Sequence, residues 1–361
     1  MKVVSIMTDF YKNKKVFITG CTGFKGSWLC QMLICLGVKQ IVGYSLDPPT
    51  KPALFNILKL KNKITYIKGN ILDDKKLKNS IKKYSPDIVI HLAAQPLVLE
   101  SYMHPQHTFN TNVMGTVNVL EASRYSSVKC ILNVTTDKVY RDVKNKPYSE
   151  NDELGGFDPY SNSKACSELV TRCYFDSFLN KENKTVITVR AGNVIGGGDF
   201  STNRIVPDCI KSIIALNPIK VRNPNSIRPY QHVFDALNAY LYIVEKLYDS
   251  KTFHSFNVGP NNDSIINTKT LVNILCDYCI PNRGWEDISN SSSPHETNCL
   301  LLNSDKIKTE LGWHPKFDIY NSLKNTADWY MENCFHPKNI IEYSTKLVND
   351  YLKFTGDARY E

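Results

Sequence analysis

Short apolar runs alternate with longer amphipathic stretches over roughly the first half of the chain. The apolar runs predict strands at Lys15–Thr19, Gln40–Tyr44, Ile64–Lys68, Ile88–Ala93, Lys129–Val134 and Thr185–Arg190. Between them, Ser27–Leu36, Lys75–Lys83, Thr108–Ser123 and Asn162–Leu179 carry a helical period. Strands alternating with helices imply right-handed βαβ units and an α/β fold with a doubly wound parallel sheet covered on both faces. Such a sheet binds its ligand in a crevice at the carboxyl ends of its strands. Beyond residue 192 the pattern loosens, with Gly196-Gly197-Gly198-Asp199 and Asn223-Pro224-Asn225 interrupting it. Helices are still expected at Pro207–Ala215, Asp235–Tyr248, Thr268–Tyr278 and Tyr320–Met331. That half reads as a smaller lid packed on the first, with no internal repeat and no low-complexity linker.

The length of 361 residues allows one large α/β unit or two coupled domains, and 42% hydrophobic residues fit a globular enzyme. No run of 18 apolar residues is present, so no membrane span is expected. The opening Met1–Met7 is too short an apolar stretch for a signal peptide, and a cytoplasmic protein is expected. The eleven cysteines are scattered, and Cys30, Cys35, Cys130 and Cys166 sit inside apolar runs. Most read as reduced core residues, not as a disulfide or zinc framework. The net charge of +9 comes from lysines spread along the chain. This argues for a solvated surface, without a nucleic-acid partner, that would also suit an anionic substrate.

Gly20-Cys21-Thr22-Gly23-Phe24-Lys25-Gly26 follows the first strand and opens a helix. Gly20, Gly23 and Gly26 permit a tight turn and close backbone approach, while the helix N-terminus offers free amides to a pyrophosphate. This context predicts dinucleotide binding. Tyr160 and Lys164 lie one helical turn apart and share a face. A phenol titrates near ~10, and a neighbouring ammonium and a nicotinamide cation both favour its phenolate. Asn133-Val134-Thr135-Thr136-Asp137-Lys138-Val139-Tyr140 ends the fifth expected strand, so its polar groups face the crevice.

The glycine spacing, His91-Leu92-Ala93-Ala94-Gln95, Asn112-Val113-Met114-Gly115-Thr116 and Leu311-Gly312-Trp313-His314-Pro315 together resemble the extended short-chain dehydrogenase/reductase family. The resemblance covers about residues 12–330. It implies a Rossmann-type NAD-binding domain of residues 12–192 and 229–259, with a discontinuous mixed α/β substrate domain of 193–228 and 260–361. NAD would be held by Gly20, Gly23, Phe24, Gly26, Asn70, Ile71, Ala93, Ala94, Gln95, Asn112, Tyr160 and Lys164. NAD users of the family often end the second strand with an acid for the ribose, where this chain has Tyr44-Ser45-Leu46-Asp47. No arginine stands there for a 2′-phosphate, so NAD, loosely held at its adenosine, is expected over NADP.

Within the family, epimerases carry small residues after the Thr or Ser at the fifth strand, whereas dehydratases carry Asp-Glu. Asp137-Lys138 resembles the branch acting on CDP-glucose, as do residues 91–98, 155–164, 190–200 and 222–233. The implied reaction is a 4,6-dehydration with Thr136, Asp137, Lys138, Tyr160 and Lys164 as catalytic residues. Tyr160 would take the C4 hydroxyl proton, with Thr136 positioning that hydroxyl. Asp137 would protonate the departing C6 hydroxyl. Lys138 would remove the C5 proton as a neutral base or steady the enolate as a cation. Gln95, Thr136, Asn193, Arg204 and Arg228 match positions that contact the substrate. His295-Glu296 lacks a third ligand at metal spacing, and no metal is expected. A homodimer is implied by the family. The rival readings are a dehydratase or 4-epimerase for GDP-, dTDP- or UDP-sugars, and a non-catalytic NAD-binding or RNA-binding relative. Relatives of that last kind typically lose the Tyr-Lys pair that this chain keeps.

Overall fold

The computed structural model describes residue 7 and residues 9–141, 147–280, 284–289 and 300–354. Its strands are β1 (Lys15–Thr19), β2 (Gln40–Ser45), β3 (Thr65–Lys68), β4 (Ile88–His91), β5 (Cys130–Val134), β6 (Thr185–Ala191), β7 (Asn193–Ile195), β8 (Ile219–Val221), β9 (Ile227–His232), β10 (Phe253–Val258), β11 (Ile265–Asn267) and β12 (Trp285–Asp287). Seven of them form one sheet in the order β10-β6-β5-β4-β1-β2-β3, parallel throughout. All six strands expected in the first half are present, with ends within two residues of those read from the sequence. The strand of this sheet not foreseen is β10, which completes it beyond β6, and the strands outside this sheet, β7, β8, β9, β11 and β12, were not foreseen either.

Both faces of the sheet are buried, which is why β1 reads Lys-Val-Phe-Ile-Thr without apolar-polar alternation. Successive side chains still point to opposite faces. Val16 and Ile18 join the core under helix Phe24–Cys35, while Phe17 joins Val42, Leu77 and Ile81 on the other side. The strand order reverses between β1 and β4, so their carboxyl ends, Thr19 beside His91, open the crevice. His91 is buried and bridges the hydroxyls of Thr19 and Thr116, and burial lowers its pKa to about 3, leaving it neutral.

Capping explains where the helices begin. Asp73 accepts from the Lys76 amide to start Asp74–Tyr84, and Asp158 accepts from the Ser161 amide ahead of Pro159 to start Pro159–Tyr174. β7, β9 and β11 form a second, three-stranded sheet, and β8 pairs with β12. Residues 228 and 229, where the sequence suggested a domain boundary, both lie within β9. Helix Val233–Leu247 then packs back on Phe24–Cys35. Aromatics fasten the second half of the chain to the first. Trp28 donates its indole N–H to the Gly197 carbonyl at 2.8 Å and lies edge-on to Phe234 and Trp329. Gly197 cannot carry a side chain, because a Cβ there would lie 2.3 Å from Trp329.

The described cysteines are free thiols. Cys276 and Cys279 form a CxxC pair at the end of helix Thr268–Cys279, where burial raises the Cys279 thiol to about 11. Among the described residues, no group of three or more His, Cys, Asp or Glu is placed to hold a metal, and no helix is long and apolar enough to cross a membrane.

Candidate active site

Three glycines after β1 do three different jobs. Gly20 has φ +76, and a Cβ on it would lie 2.7 Å from the Ala93 amide, so it lets β1 and β4 converge at the crevice. Gly26 packs the helix onto the turn, since a Cβ there would lie 2.2 Å from the Gly20 carbonyl oxygen. Gly23 instead faces open space, its nearest neighbour being the Gly20 carbonyl oxygen at 3.5 Å. It caps helix Phe24–Cys35 with no side chain on the first-turn amides. An uncapped helix end with room above its capping glycine suits a pyrophosphate. The residues present therefore fit NAD.

The surroundings of the adenosine end are spent differently. Tyr44 donates to the Asn70 carbonyl at 3.0 Å, Ser45 meets Thr22 at 2.7 Å, and Asp47 is ion-paired with Lys68 at 2.5 Å. Asn70 Oδ1 accepts from the Leu72 amide, and Ile71 packs where a Gly115 side chain would stand. Ala93 and Ala94 line the loop after β4, partly exposed. Gln95 and Asn112 are buried and engage each other. Asn112 Oδ1 accepts from the Gln95 amide at 2.8 Å, while Asn112 Nδ2 donates to the Gln95 carbonyl and to Ser163 Oγ. Gln95 Nε2 donates to Thr108 Oγ1 and the Leu97 carbonyl, and its Oε1 accepts from the Leu97 amide at 2.6 Å. The Asn112 carboxamide thus joins the β4 loop to the Tyr160 helix, while the Gln95 carboxamide ties that loop to helix Pro105–Phe109.

Tyr160 and Lys164 ride on helix Pro159–Tyr174, and the Thr136-Asp137-Lys138 turn leaves β5 opposite them. Burial lifts the Tyr160 phenol to about 12, the Thr136 hydroxyl drawing it back and the Asp137 carboxylate adding to the rise. Lys164 donates to the Val134 carbonyl at 2.8 Å, and burial lowers its ammonium to about 8 against the pull of Glu168. Thr136 donates to Asp137 Oδ1 at 3.0 Å, whereas Asp137 Oδ2 is buried with no hydrogen-bond partner. A buried oxygen without a partner is costly, and a substrate hydroxyl there would relieve it. Gly192 keeps that space open, since a Cβ on it would come within 3.0 Å of the same oxygen. Lys138 is partly exposed and makes no ion pair with Asp137.

On the lid side, Asn193 opens β7 beside Tyr230, and Arg228 donates to the Ile227 carbonyl from a buried position. Arg204 Nε lies 3.9 Å from Asp199 Oδ2, and that nitrogen is buried without a hydrogen bond. His295 and Glu296 lie outside the described residues.

Sequence reasoning missed Lys25. Burial lowers its ammonium to about 8, Arg204 lowers it further, and Asp137 and Asp199 oppose the fall. It therefore joins the site's charges from the first turn of the cofactor helix. The legible signal was a cation placed where the helix dipole disfavours one.

The GDP-mannose 4,6 dehydratase family model matches residues 17–326. The chain belongs to that family. Among its relatives, the CDP-glucose 4,6-dehydratase of Salmonella typhimurium is 38% identical, over 96% of this chain and 98% of that protein. The human dTDP-D-glucose 4,6-dehydratase is 27% identical over 91% of this chain and 93% of its own length. Among solved structures, the fold resembles dTDP-glucose 4,6-dehydratase of Bacillus anthracis in complex with NAD. That likeness has a TM-score of 0.74 at 21% identity, covering 93% of this chain and 99% of that one. UDP-glucose 4-epimerase of Thermotoga maritima gives a TM-score of 0.77 at 22% identity, over 89% and 99%.

Proposed function

We propose that this chain dehydrates CDP-D-glucose to CDP-4-keto-6-deoxy-D-glucose with NAD as a recycled cofactor. The observation that carries this reading is the buried, unpartnered Asp137 Oδ2 set between Thr136 and Lys138 on one turn and Tyr160 on the facing helix. A 4-epimerase exchanges hydride at C4 and has no use for a second acid and base, whereas loss of water across C5 and C6 needs both. The 38% identity to the Salmonella enzyme supports the cytidine nucleotide.

In this reading, bound NAD supplies the hydride acceptor and donor. Tyr160 Oη takes the C4 hydroxyl proton, and Thr136 Oγ1 orients that hydroxyl. The Lys164 ammonium, fixed by the Val134 carbonyl, steadies the phenolate. Once C4 is a ketone, the C5 proton becomes acidic and passes to Lys138, while Asp137 protonates the departing C6 hydroxyl. Asn193, Arg204 and Arg228 face the nucleotide diphosphate from the lid. The same reading divides the chain into a cofactor domain and a lid.

A cytoplasmic homodimer making precursors of cell-surface deoxysugars fits the same reading. Helices Val98–Met103 and Gly115–Arg124 both pack on Pro159–Tyr174. On and beside them Tyr102, Met103, Met114 and Leu169 are exposed, an apolar surface suited to a second copy. The substrate assignment is tested by giving the protein CDP-, dTDP-, GDP- and UDP-hexoses in competition. CDP-glucose should be converted first, and preferential loss of any other nucleotide sugar would overturn the assignment.

A further inference from the structure

Directly behind the Thr136-Asp137-Lys138 turn lies a buried ion pair. Glu168 and Arg190 are 3% and 4% exposed, and Arg190 grips the carboxylate with Nε at 2.9 Å and Nη2 at 2.8 Å. Their reach on either side is what singles the pair out. Glu168 Oε1 accepts from Thr135 Oγ1 at 2.5 Å, the residue at which the turn leaves β5. Arg190 Nη1 donates to Tyr140 Oη at 2.7 Å, the residue at which the turn ends, and its guanidinium also lies 4.9 Å from the Tyr140 ring centroid.

The remaining valences are filled by structure on all sides. Thr188 donates to Glu168 Oε2 at 2.9 Å, and the Glu150 carbonyl accepts from Arg190 at 3.0 Å. Tyr140 donates to Asn257 Oδ1 at 2.6 Å and stacks on Tyr148 with centroids 4.9 Å apart. Glu168 also stands one helical turn beyond Lys164 on the same helix. Burial alone would raise the Glu168 carboxyl, yet Arg190 and the two threonine hydroxyls hold it below its ordinary value, so it stays charged.

We propose that the Glu168–Arg190 pair is a clasp for the catalytic turn, with Thr135 and Tyr140 as positioning residues that set Asp137 and Lys138 for elimination. The clasp holds both ends of the turn while touching neither substrate nor cofactor. It rests on the dehydratase reading for its effect on catalysis, and on geometry alone for its effect on the turn. Oxidation at C4 takes Tyr160 and Lys164 from the helix and only the Thr136 hydroxyl from the turn, whereas elimination takes both its acid and its base, Asp137 and Lys138, from the turn. Loosening the turn should therefore slow elimination more than oxidation.

The test uses Thr135→Val and Tyr140→Phe, which each remove one tether and leave the ion pair intact. Small misplacements of reacting groups cost about 10- to 100-fold in rate. Each variant should lose that much kcat, with KM and NAD affinity close to wild type, and with NADH accumulating during turnover. Thr135→Ser, which keeps the hydroxyl, should recover most of the rate. Amide hydrogen exchange over residues 135–140 should quicken in the Val and Phe variants while exchange in the Tyr160 helix holds. Unchanged exchange in the turn, or a rate loss that Thr135→Ser does not recover, would overturn the clasp. A wild type that removes water from no sugar nucleotide would overturn the dehydratase reading instead, and the exchange measurement would still decide the clasp.

Discussion

Removing the Lys138 side chain separates catalysis from stability at a single residue. Its ammonium is partly exposed and makes no ion pair with Asp137, so Lys138→Ala takes away no buried contact of weight. Substitutions at such positions change stability by no more than about 0.5 kcal/mol. Losing a general base costs about 10²- to 10⁴-fold in rate. At about 1.36 kcal/mol per tenfold, that corresponds to about 2.7–5.4 kcal/mol of barrier. Oxidation of C4 relies on Tyr160 and bound NAD and should proceed in the variant, whereas the C5 proton would have no acceptor. Rapid mixing with CDP-glucose should thus build up NADH absorbance that decays slowly, and solvent deuterium should fail to enter at C5. Lys138→Glu should regain part of the rate, because a carboxylate can take the same proton. Turnover by Lys138→Ala within about threefold of wild type, with no NADH build-up, would refute the role.

Tyr160→Phe should lower turnover at least ~10²-fold while NAD titration stays near wild type, since the phenol is the sole proposed acceptor of the C4 proton. NAD should exchange reversibly and be partly absent from purified protein, because Asp47 is engaged by Lys68 and no other carboxylate follows β2. A lost charge-assisted hydrogen bond is worth about 1.5–3 kcal/mol, and stoichiometric NAD surviving dialysis would contradict this. Asp235 gives a pH signature. Burial raises its carboxyl from 3.8 to about 6 despite the Lys316 and Phe317 amides and the Tyr351 hydroxyl. A raised acid contributes stability that is complete below 3.8 and is lost as pH rises through about 6. That gap is worth about 3 kcal/mol. Urea unfolding should show the stability difference between wild type and Asp235→Asn shrinking by up to that amount from pH ~4 to ~7, and parallel profiles would count against it.

The sheet and the candidate site were legible because their signals are local. β1 through β6 are runs of apolar residues closed by turns, and the glycine turn, Tyr160 with Lys164, and the Thr136–Lys138 triplet each lie within a few residues of a strand end or helix start. β10 was not legible. Phe253–Val258 is half-buried over its first three residues and buried over its last three, its apolar run is broken by His254, Ser255 and Asn257, and it joins the sheet edge only after β7, β8 and β9 have been crossed. Gln95 and Asn112 illustrate the opposite difficulty. Their residue types suit a ligand, yet the Asn112 carboxamide is spent on the Gln95 backbone across 17 positions and the Gln95 carboxamide on Leu97 and Thr108, pairings no local pattern reveals. Glu168 and Arg190 likewise look like an ordinary helix acid and a strand-end cation until folding buries them face to face behind the turn.

The central claim is removal of water with internal recycling of the cofactor. Incubation of the protein with CDP-glucose and substoichiometric NAD in deuterated water, read by mass spectrometry and NMR, tests it most directly. The account expects a sugar nucleotide that has lost one water and carries one deuterium at C5, formed in excess over the NAD added. A sugar nucleotide of unchanged mass with an inverted C4 centre, or product limited to the amount of NAD supplied, would contradict it.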